Sequence, residues 1–297
     1  MQLNWETYRG SNPEVYGRQV IDRCGFTEPP ICEKAVSQFF GNKIEEVSPL
    51  DPDIAAKFPT IRKIFKKSSA HLFRDYSLIV VNKDQPRVKI RMDIFHENGH
   101  EALPWQRESA HVCAGSGVDA YTRRRIEDEA FRCGIAMMLP DKMFREDVRG
   151  RKMSEELIRA LAQRYEASLE VAAMRYVGLC NGVCAMLVCE PIKQKEPETG
   201  METVVPEQKR LLQIRYAVTS HRLMKFFQAG TIIGDDSPIY LPFLTGETFG
   251  GPLYTDDLGY GYNTGHPYAA ECFRFGTTEE PKVMALLWSE DQQKELF

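Results

Sequence analysis

No stretch of the 297 residues approaches the roughly 20 consecutive apolar residues that cross a bilayer. The opening residues, Met1-Gln2-Leu3-Asn4-Trp5-Glu6, are too polar for a secretory leader. Positive charge is not in excess either: 38 Lys and Arg face 42 Asp and Glu, a net charge of -4. The summed field therefore draws in neither nucleic acid nor an anionic membrane. Internal repeats and low-complexity tracts are missing, which excludes solenoids and biased tails. The eight cysteines, at 24, 32, 113, 133, 180, 184, 189 and 272, lack the paired C-x-x-C spacing of structural zinc sites. Several lie in apolar runs, where a free thiol packs as a small hydrophobe. Cys180, Cys184 and Cys189 are the one grouping that could be argued as soft metal ligands. The expectation is a protein of the reducing cytoplasm with no membrane partner.

What is present is an ordinary globular balance, 43% apolar and 27% charged, in a chain long enough for two or three domains. Short helices are expected over 14–23 and 31–40, the second stopped by Gly41-Asn42. The β-branched run Ser77-Leu78-Ile79-Val80-Val81, closed by Asn82-Lys83-Asp84, reads as a buried strand and turn. Pro86 suits the first turn of a helix that runs through His100 and stops before Pro104. A further long helix is expected over 121–138, and two short ones from Ser154 and Ser168, each serine capping the first turn. The stretch 191–210 is rich in Lys, Glu and Pro and reads as a linker. Beyond it, 211–218 and 283–289 read as strands, and the Gly- and aromatic-rich 245–268 as turns or loops.

Chemistry concentrates in His96-Glu97-Asn98-Gly99-His100. Residues four apart on a helix share a face, so His96 and His100 can offer imidazole nitrogens to one ion. Glu97, one step round, is then placed as a general base toward water and an acid toward a leaving amine, the residue types of metal-assisted amide hydrolysis. A catalytic zinc takes three protein ligands, which requires another on a neighbouring helix. In the segment 126–138, Glu127 shares a helical face with Ala130, Phe131, Gly134, Ile135 and Met138, so its carboxylate is expected to point inward and to need a charge partner. Glu129 aligns instead with Arg125, Arg132 and Cys133 and is expected in a solvated ion pair. Glu127 is therefore the expected third ligand. The same donors suit manganese or iron as well as zinc. A group to polarise the scissile carbonyl is also needed, with Tyr121, Tyr176 and His221 as candidates.

These motifs resemble the ImmA/IrrE-type metallopeptidases: a strand, a helix bearing His-Glu-x-x-His, then a helix resembling Glu-x-Glu-Ala with a Leu-Met-Pro end. Here the second helix has Glu127-Asp128-Glu129-Ala130 and ends Met137-Met138-Leu139-Pro140. The first glutamate of that pattern is the family's metal ligand and falls on Glu127. The likeness covers about residues 15 to 190. The chain departs from the pattern at Asp93, Phe95, Asn98, Phe131 and Cys133, and Phe131 stands where a thermolysin-type enzyme has an Asp.

The resemblance implies an α+β fold: a zincin-like core over 1–150, a helix-turn-helix-like unit over 151–190, the linker over 191–210, and a GAF- or PAS-like α/β domain over 211–297, a possible small-ligand sensor. It also implies a zinc endopeptidase whose protein substrate is a transcriptional repressor in a stress or mobile-element switch. The rival expectation is a non-catalytic metal-binding regulator, or one that touches DNA through Leu157–Leu179. Within that segment Arg175 is the main group able to read a base edge, and Glu170 would repel phosphate. The basic run Arg62-Lys63-Ile64-Phe65-Lys66-Lys67 reads as a solvated face.

Overall fold

The helix beginning at Pro13 is specified locally. Asn12 caps it by accepting the Glu14 N–H at 3.0 Å, Pro13 opens its first turn, and Gly25 ends it at φ +73°. The computed structural model describes residues 10–53, 64–65, 68–108, 119–192, 211–223, 227–259 and 267–289. The expected linker, from 193 on, and the basic run apart from Ile64 and Phe65 lie outside the described residues. In chain order the elements are α1 (Pro13–Cys24), α2 (Glu33–Phe39), β1 (Lys43–Val47), β2 (Ala70–Phe73), a 3-10 turn (Arg74–Tyr76), β3 (Leu78–Asn82), α3 (Arg87–Ala102), α4 (Pro104–Glu108), α5 (Ala120–Met138), α6 (Asp141–Val148), α7 (Glu155–Arg164), α8 (Leu169–Leu179), β4 (Cys184–Pro191), β5 (Leu212–Thr219), β6 (Ile232–Ile233), α9 (Tyr240–Thr245), β7 (Phe249–Leu253), β8 (Tyr268–Gly276) and β9 (Pro281–Trp288). The fold is mixed α+β. Among the described residues no helix is long and apolar enough to cross a membrane.

The chain divides into two compact units, Met1–Asp147 with Leu161–Ala172, and Val148–Ala160 with Ala173–Phe297. In the first, β3 lies between β1, parallel to it, and β2, antiparallel to it. Ile79 and Val81 of β3 meet Ile90 and Ile94 of α3, which seats the helix on the sheet. The opposite side of α3 carries Arg91, only 3% exposed, whose guanidinium pairs with the buried Glu33 carboxylate. It also donates to the Ile31 carbonyl at 3.0 Å and to the Glu166 carbonyl at 3.3 Å. Arg87 pairs with the other Glu33 oxygen. A buried ion pair that uses most of its donors holds its geometry firmly, because removing one partner strands a charge.

The helices pack at close range where glycine allows it. A Cβ on Gly99 of α3 would lie 2.3 Å from the Ala130 carbonyl oxygen of α5, and one on Gly134 of α5 would lie 2.9 Å from the Phe95 carbonyl oxygen of α3. Gly17 of α1 does the same against Cys133, at 2.6 Å. All three positions put backbone against backbone, which no side-chain rotation can relieve. The expected caps at the later helices form, with Ser154 Oγ accepting from the Leu157 N–H at 3.1 Å and Ser168 Oγ from the Val171 N–H at 3.2 Å.

The helix-turn-helix reading loses its contact surface. α8 is buried on nearly every side, with Val171, Ala172, Ala173, Tyr176 and Val177 at 0–6% exposure, and Arg175 is 4% exposed. A recognition helix must show its polar face to the groove, and this one is apolar and covered.

The second unit is built on a six-stranded antiparallel sheet in the order β6-β5-β4-β9-β8-β7. It starts before the expected linker: β4 begins inside the span 151–190 expected to be helical. The run Cys184-Ala185-Met186-Leu187-Val188-Cys189 has no alternation because both of its faces are buried, as suits a central strand. β7 likewise forms within the expected loop 245–268. Its two glycines and Pro252 hide the strand pattern, but at a sheet edge they are tolerated. Cys189 and Cys272 are core residues of this sheet. The Cys184 thiol is pushed far up by its hydrogen bond with Cys180 and by burial, and burial with the added Glu190 charge takes Cys189 up to about 12. These are neutral, packed thiols.

Replacement of Gly99 by Ala is expected to lower stability by roughly 1–3 kcal/mol through overpacking against α5. Thermal unfolding should fall by several degrees while an exposed control such as Gly178→Ala, with open space at its Cβ, stays near the parent. An unchanged midpoint for Gly99→Ala would refute the close-approach account.

Candidate metal centre

Two helices bring three side chains together. α3 supplies His96 and His100 one turn apart, their rings perpendicular with centroids 4.8 Å apart. α5 supplies Glu127. The His96 and His100 Nε2 atoms are 3.1 Å apart, and Glu127 Oε2 stands 3.1 Å from His96 Nε2 and 3.7 Å from His100 Nε2. Ligands about 2.05 Å from a tetrahedral zinc stand about 3.3 Å from one another, so these spacings fit one ion with three bonds made and one position open. Among the described residues this is the one group of His, Cys, Asp and Glu with such a spacing; Cys180, Cys184 and Cys189 do not form another. The group could hold a metal ion.

The surrounding hydrogen bonds select the right tautomer. Gln106, 3% exposed, spends its amide N–H groups on the Ile126 carbonyl at 3.0 Å and Glu129 Oε2 at 3.2 Å. Its oxygen is left to accept from His100 Nδ1 at 2.7 Å. With the proton on Nδ1, the Nε2 lone pair faces Glu127 and His96, as a ligand requires. Glu129 is itself fixed by Trp105 Nε1 at 2.7 Å and Arg125 Nε at 2.9 Å. From the other side, Arg74 donates to the His100 carbonyl at 3.0 Å, the Glu101 carboxylate at 2.6 Å and the Gln106 carbonyl at 3.1 Å. It thereby closes the end of α3, where helix carbonyls lack partners of their own.

The two carboxylates of α5 exchange the surroundings expected for them. Glu127 is 57% exposed at its side chain, and Glu129 only 14%. Burial on α5 begins at Ala130, so the preceding turns stand clear of the core and their helical-face pattern does not report depth. Glu127 finds its charge partners in the imidazoles. Hydrogen bonds with His100 and then His96 hold its carboxyl well below the usual carboxylate range. Burial works to lower the pKa of His100, but the hydrogen bond with Glu127 and the Glu97 charge outweigh it, and the net shift is upward. Glu97 is 8% exposed and accepts no hydrogen bond from a described residue.

Two of the donors, His96 and Glu127, line a cleft of about 660 Å³ together with Tyr121, Arg124, Arg125, Asp128 and Phe131. Of the three carbonyl-polarising candidates, Tyr121 lines this cleft. Tyr176 is fully buried, and His221 sits exposed in the turn after β5; neither lines it. Sequence reasoning missed Gln106, Arg74 and Trp105. For Gln106 and Trp105 the one signal was the helix break at Leu103-Pro104, which turns the chain back toward His100; Arg74, in the turn before β3, had none.

Replacing Gln106 by Leu removes the acceptor for His100 Nδ1–H and is expected to weaken metal binding 10- to 100-fold, read by competition with a chelator. The shifts also give a pH signature. A raised His100 stabilises the metal-free protein below about pH 6.5 and loses that effect as pH rises through its folded value. A lowered Glu127 stabilises it above about pH 4.5 and loses that effect as pH falls. The pair's contribution in chelator should therefore be largest between these values and vanish in Glu127→Gln. Because a ligand imidazole must give up its proton, metal affinity should rise from pH 6 to pH 8 with proton release, measurable by calorimetry in buffers of different ionisation enthalpy.

Comparison with known proteins places these observations. Among curated proteins none matches the chain. A solved structure of a Mycobacterium tuberculosis transcriptional regulator is similar over 93% of this chain and 75% of its own, with a TM-score of 0.58 and 11% sequence identity. At that identity the likeness concerns the fold. Residues 59–176, which include α3 and α5 and all the side chains of the centre, match the peptidase family described as the IrrE N-terminal-like domain. That match supports the resemblance of this part of the chain to the ImmA/IrrE-type family.

Proposed function

We propose that the chain is a metal-dependent endopeptidase that hydrolyses a peptide bond in a protein substrate, with zinc held by His96, His100 and Glu127. The observation that carries this reading is the spacing of the three donors, 3.1, 3.1 and 3.7 Å, two of which, His96 and Glu127, line an open cleft. When bound, zinc supplies Lewis acidity and brings water to a pKa of about 7. Glu97, beside His96 on α3 and largely screened from solvent, takes a proton from the attacking water and returns it to the leaving amine. Tyr121, on the cleft wall, donates to the carbonyl oxygen as negative charge develops there. Gln106 orients the His100 ring, which would give up its Nε2 proton on binding the metal.

Zincin-like architecture for residues 1–150 belongs to the same reading. So does a GAF- or PAS-like sensory role for the C-terminal domain, whose sheet takes in β4. A transcriptional repressor is the proposed substrate. The match to a peptidase family supports the chemistry, and the similar fold of a protein named a transcriptional regulator supports the regulatory setting.

Purified protein should carry one divalent ion per chain, lost on His96→Ala. Glu97→Gln should keep the ion and cut candidate repressors 10²- to 10⁴-fold more slowly. Tyr121→Phe should lower kcat by about 10²-fold with KM little changed. If parent and Glu97→Gln both hold metal and neither cuts, the non-catalytic regulator takes the place of the peptidase.

A further inference from the structure

We infer that Arg124 is a carboxylate-binding subsite of the cleft, so that the polypeptide occupying it presents an acidic side chain or a free C-terminus beside the metal centre. The inference rests on reading the cleft as a peptide-binding site. Tyr121, Arg124, Asp128 and Phe131 recur at spacings of three and four along the first turns of α5, and all line the cleft with His96 and Glu127. The cleft contains two guanidinium groups with different commitments. Arg125 is held by Glu129 at 2.9 Å. Arg124 makes no hydrogen bond or ion pair with any described residue, Asp128 one turn on included, so its fork of N–H donors is open to an incoming group.

Among the described residues none of the neighbouring carboxylates, Asp128 of the cleft wall included, is paired with it. Glu127 is spent on the imidazoles, and Glu129 on Arg125, Trp105 and Gln106. A planar, permanently charged fork meets a carboxylate with two parallel hydrogen bonds, which an amide or ammonium group cannot accept in the same way. Tyr121 and Phe131 on the same ridge add flat apolar surface for the rest of the peptide.

The test uses full-length, zinc-loaded Glu97→Gln protein, so that binding is read whether or not the parent cleaves. Short fluorescein-labelled peptides, identical except for a central Glu, Gln or Lys, are each made with a free or an amidated C-terminus and titrated by anisotropy. Carboxylate-bearing peptides should bind on the order of tenfold more tightly than their neutral partners. A dependence on central Glu identifies a side-chain carboxylate; a dependence on the free terminus identifies the chain end. Adding Arg124→Glu should abolish that preference and favour the Lys peptides, with metal content unchanged. Equal binding of all peptides, no binding of any, or an acid preference that survives Arg124→Glu overturns the inference. The peptidase reading is judged separately, by whether the parent cuts the same peptides: a carboxylate preference without cleavage would sink that reading and leave the subsite standing.

Discussion

The metal-centre geometry depends on how closely two helix backbones approach. His96 and His100 can be set one turn apart by α3 alone, but their distance to Glu127 is set by the spacing between α3 and α5. That spacing is fixed where Gly99 faces the Ala130 carbonyl and Gly134 faces that of Phe95. Both contacts are backbone on backbone, so a methyl group at either site must push the helices apart. The donor atoms are 3.1 to 3.7 Å apart, and a shift of 1 Å would move Glu127 beyond the reach of a shared ion. The Gly within HENGH is therefore as much part of the centre as its histidines, although it touches no ligand.

Polar clamps then hold each end and side of α3. The Arg91 and Glu33 pair anchors the side turned away from His100, where burial makes the loss of either partner expensive. Arg74 and Gln106 anchor the end that carries His100, one at its carbonyl and the other at its ring. These groups do different work. Arg74 restrains where the residue is, whereas Gln106 decides which ring nitrogen carries the proton. Because Gln106 is in turn held by Glu129, the tautomer of a residue on α3 is determined by a carboxylate on α5. The same helix pair thus sets both the distances and the protonation of the centre.

The legible parts of the sequence were those with a period. The four-residue spacing of His96 and His100, the caps at Ser154 and Ser168, and the apolar run ending at Val81 each signal local structure that the fold adopts. Depth was not legible. A helical face marks which residues point together, not whether anything lies over them, and α5 projects beyond the core for its first turns. Glu127, expected to point inward, is more than half exposed, and Glu129, expected in a solvated pair with Arg125, makes that pair while largely buried. Strand β4 was hidden for a related reason: a strand buried on both faces has no alternation to read. Gln106 was hidden because its role exists only when α4 folds back on α3, a contact without a sequence period.

The projection of α5 gives the helix two kinds of work along one axis. From Ala130 to Met138 it is packed by Cys133, Gly134, Ala136 and Met137, all withdrawn from solvent, and it supplies the rigidity against which α1 and α3 are set. From Ala120 to Glu129 its residues are exposed or half-buried among the described residues, and the residues that line the cleft belong to this half, apart from His96 of α3 and Phe131 just beyond the transition. A ligand group on the free half keeps the precision of the packed half, since a helix transmits its position with little bending over two turns. At the same time the neighbouring positions need satisfy no core packing, so Tyr121, Arg124 and Asp128 are open to change without cost to the fold. The spacing of the three donors and the make-up of the cleft wall are in this way carried by one helix yet constrained independently, the first through glycine contacts in the core and the second through side chains of the exposed half.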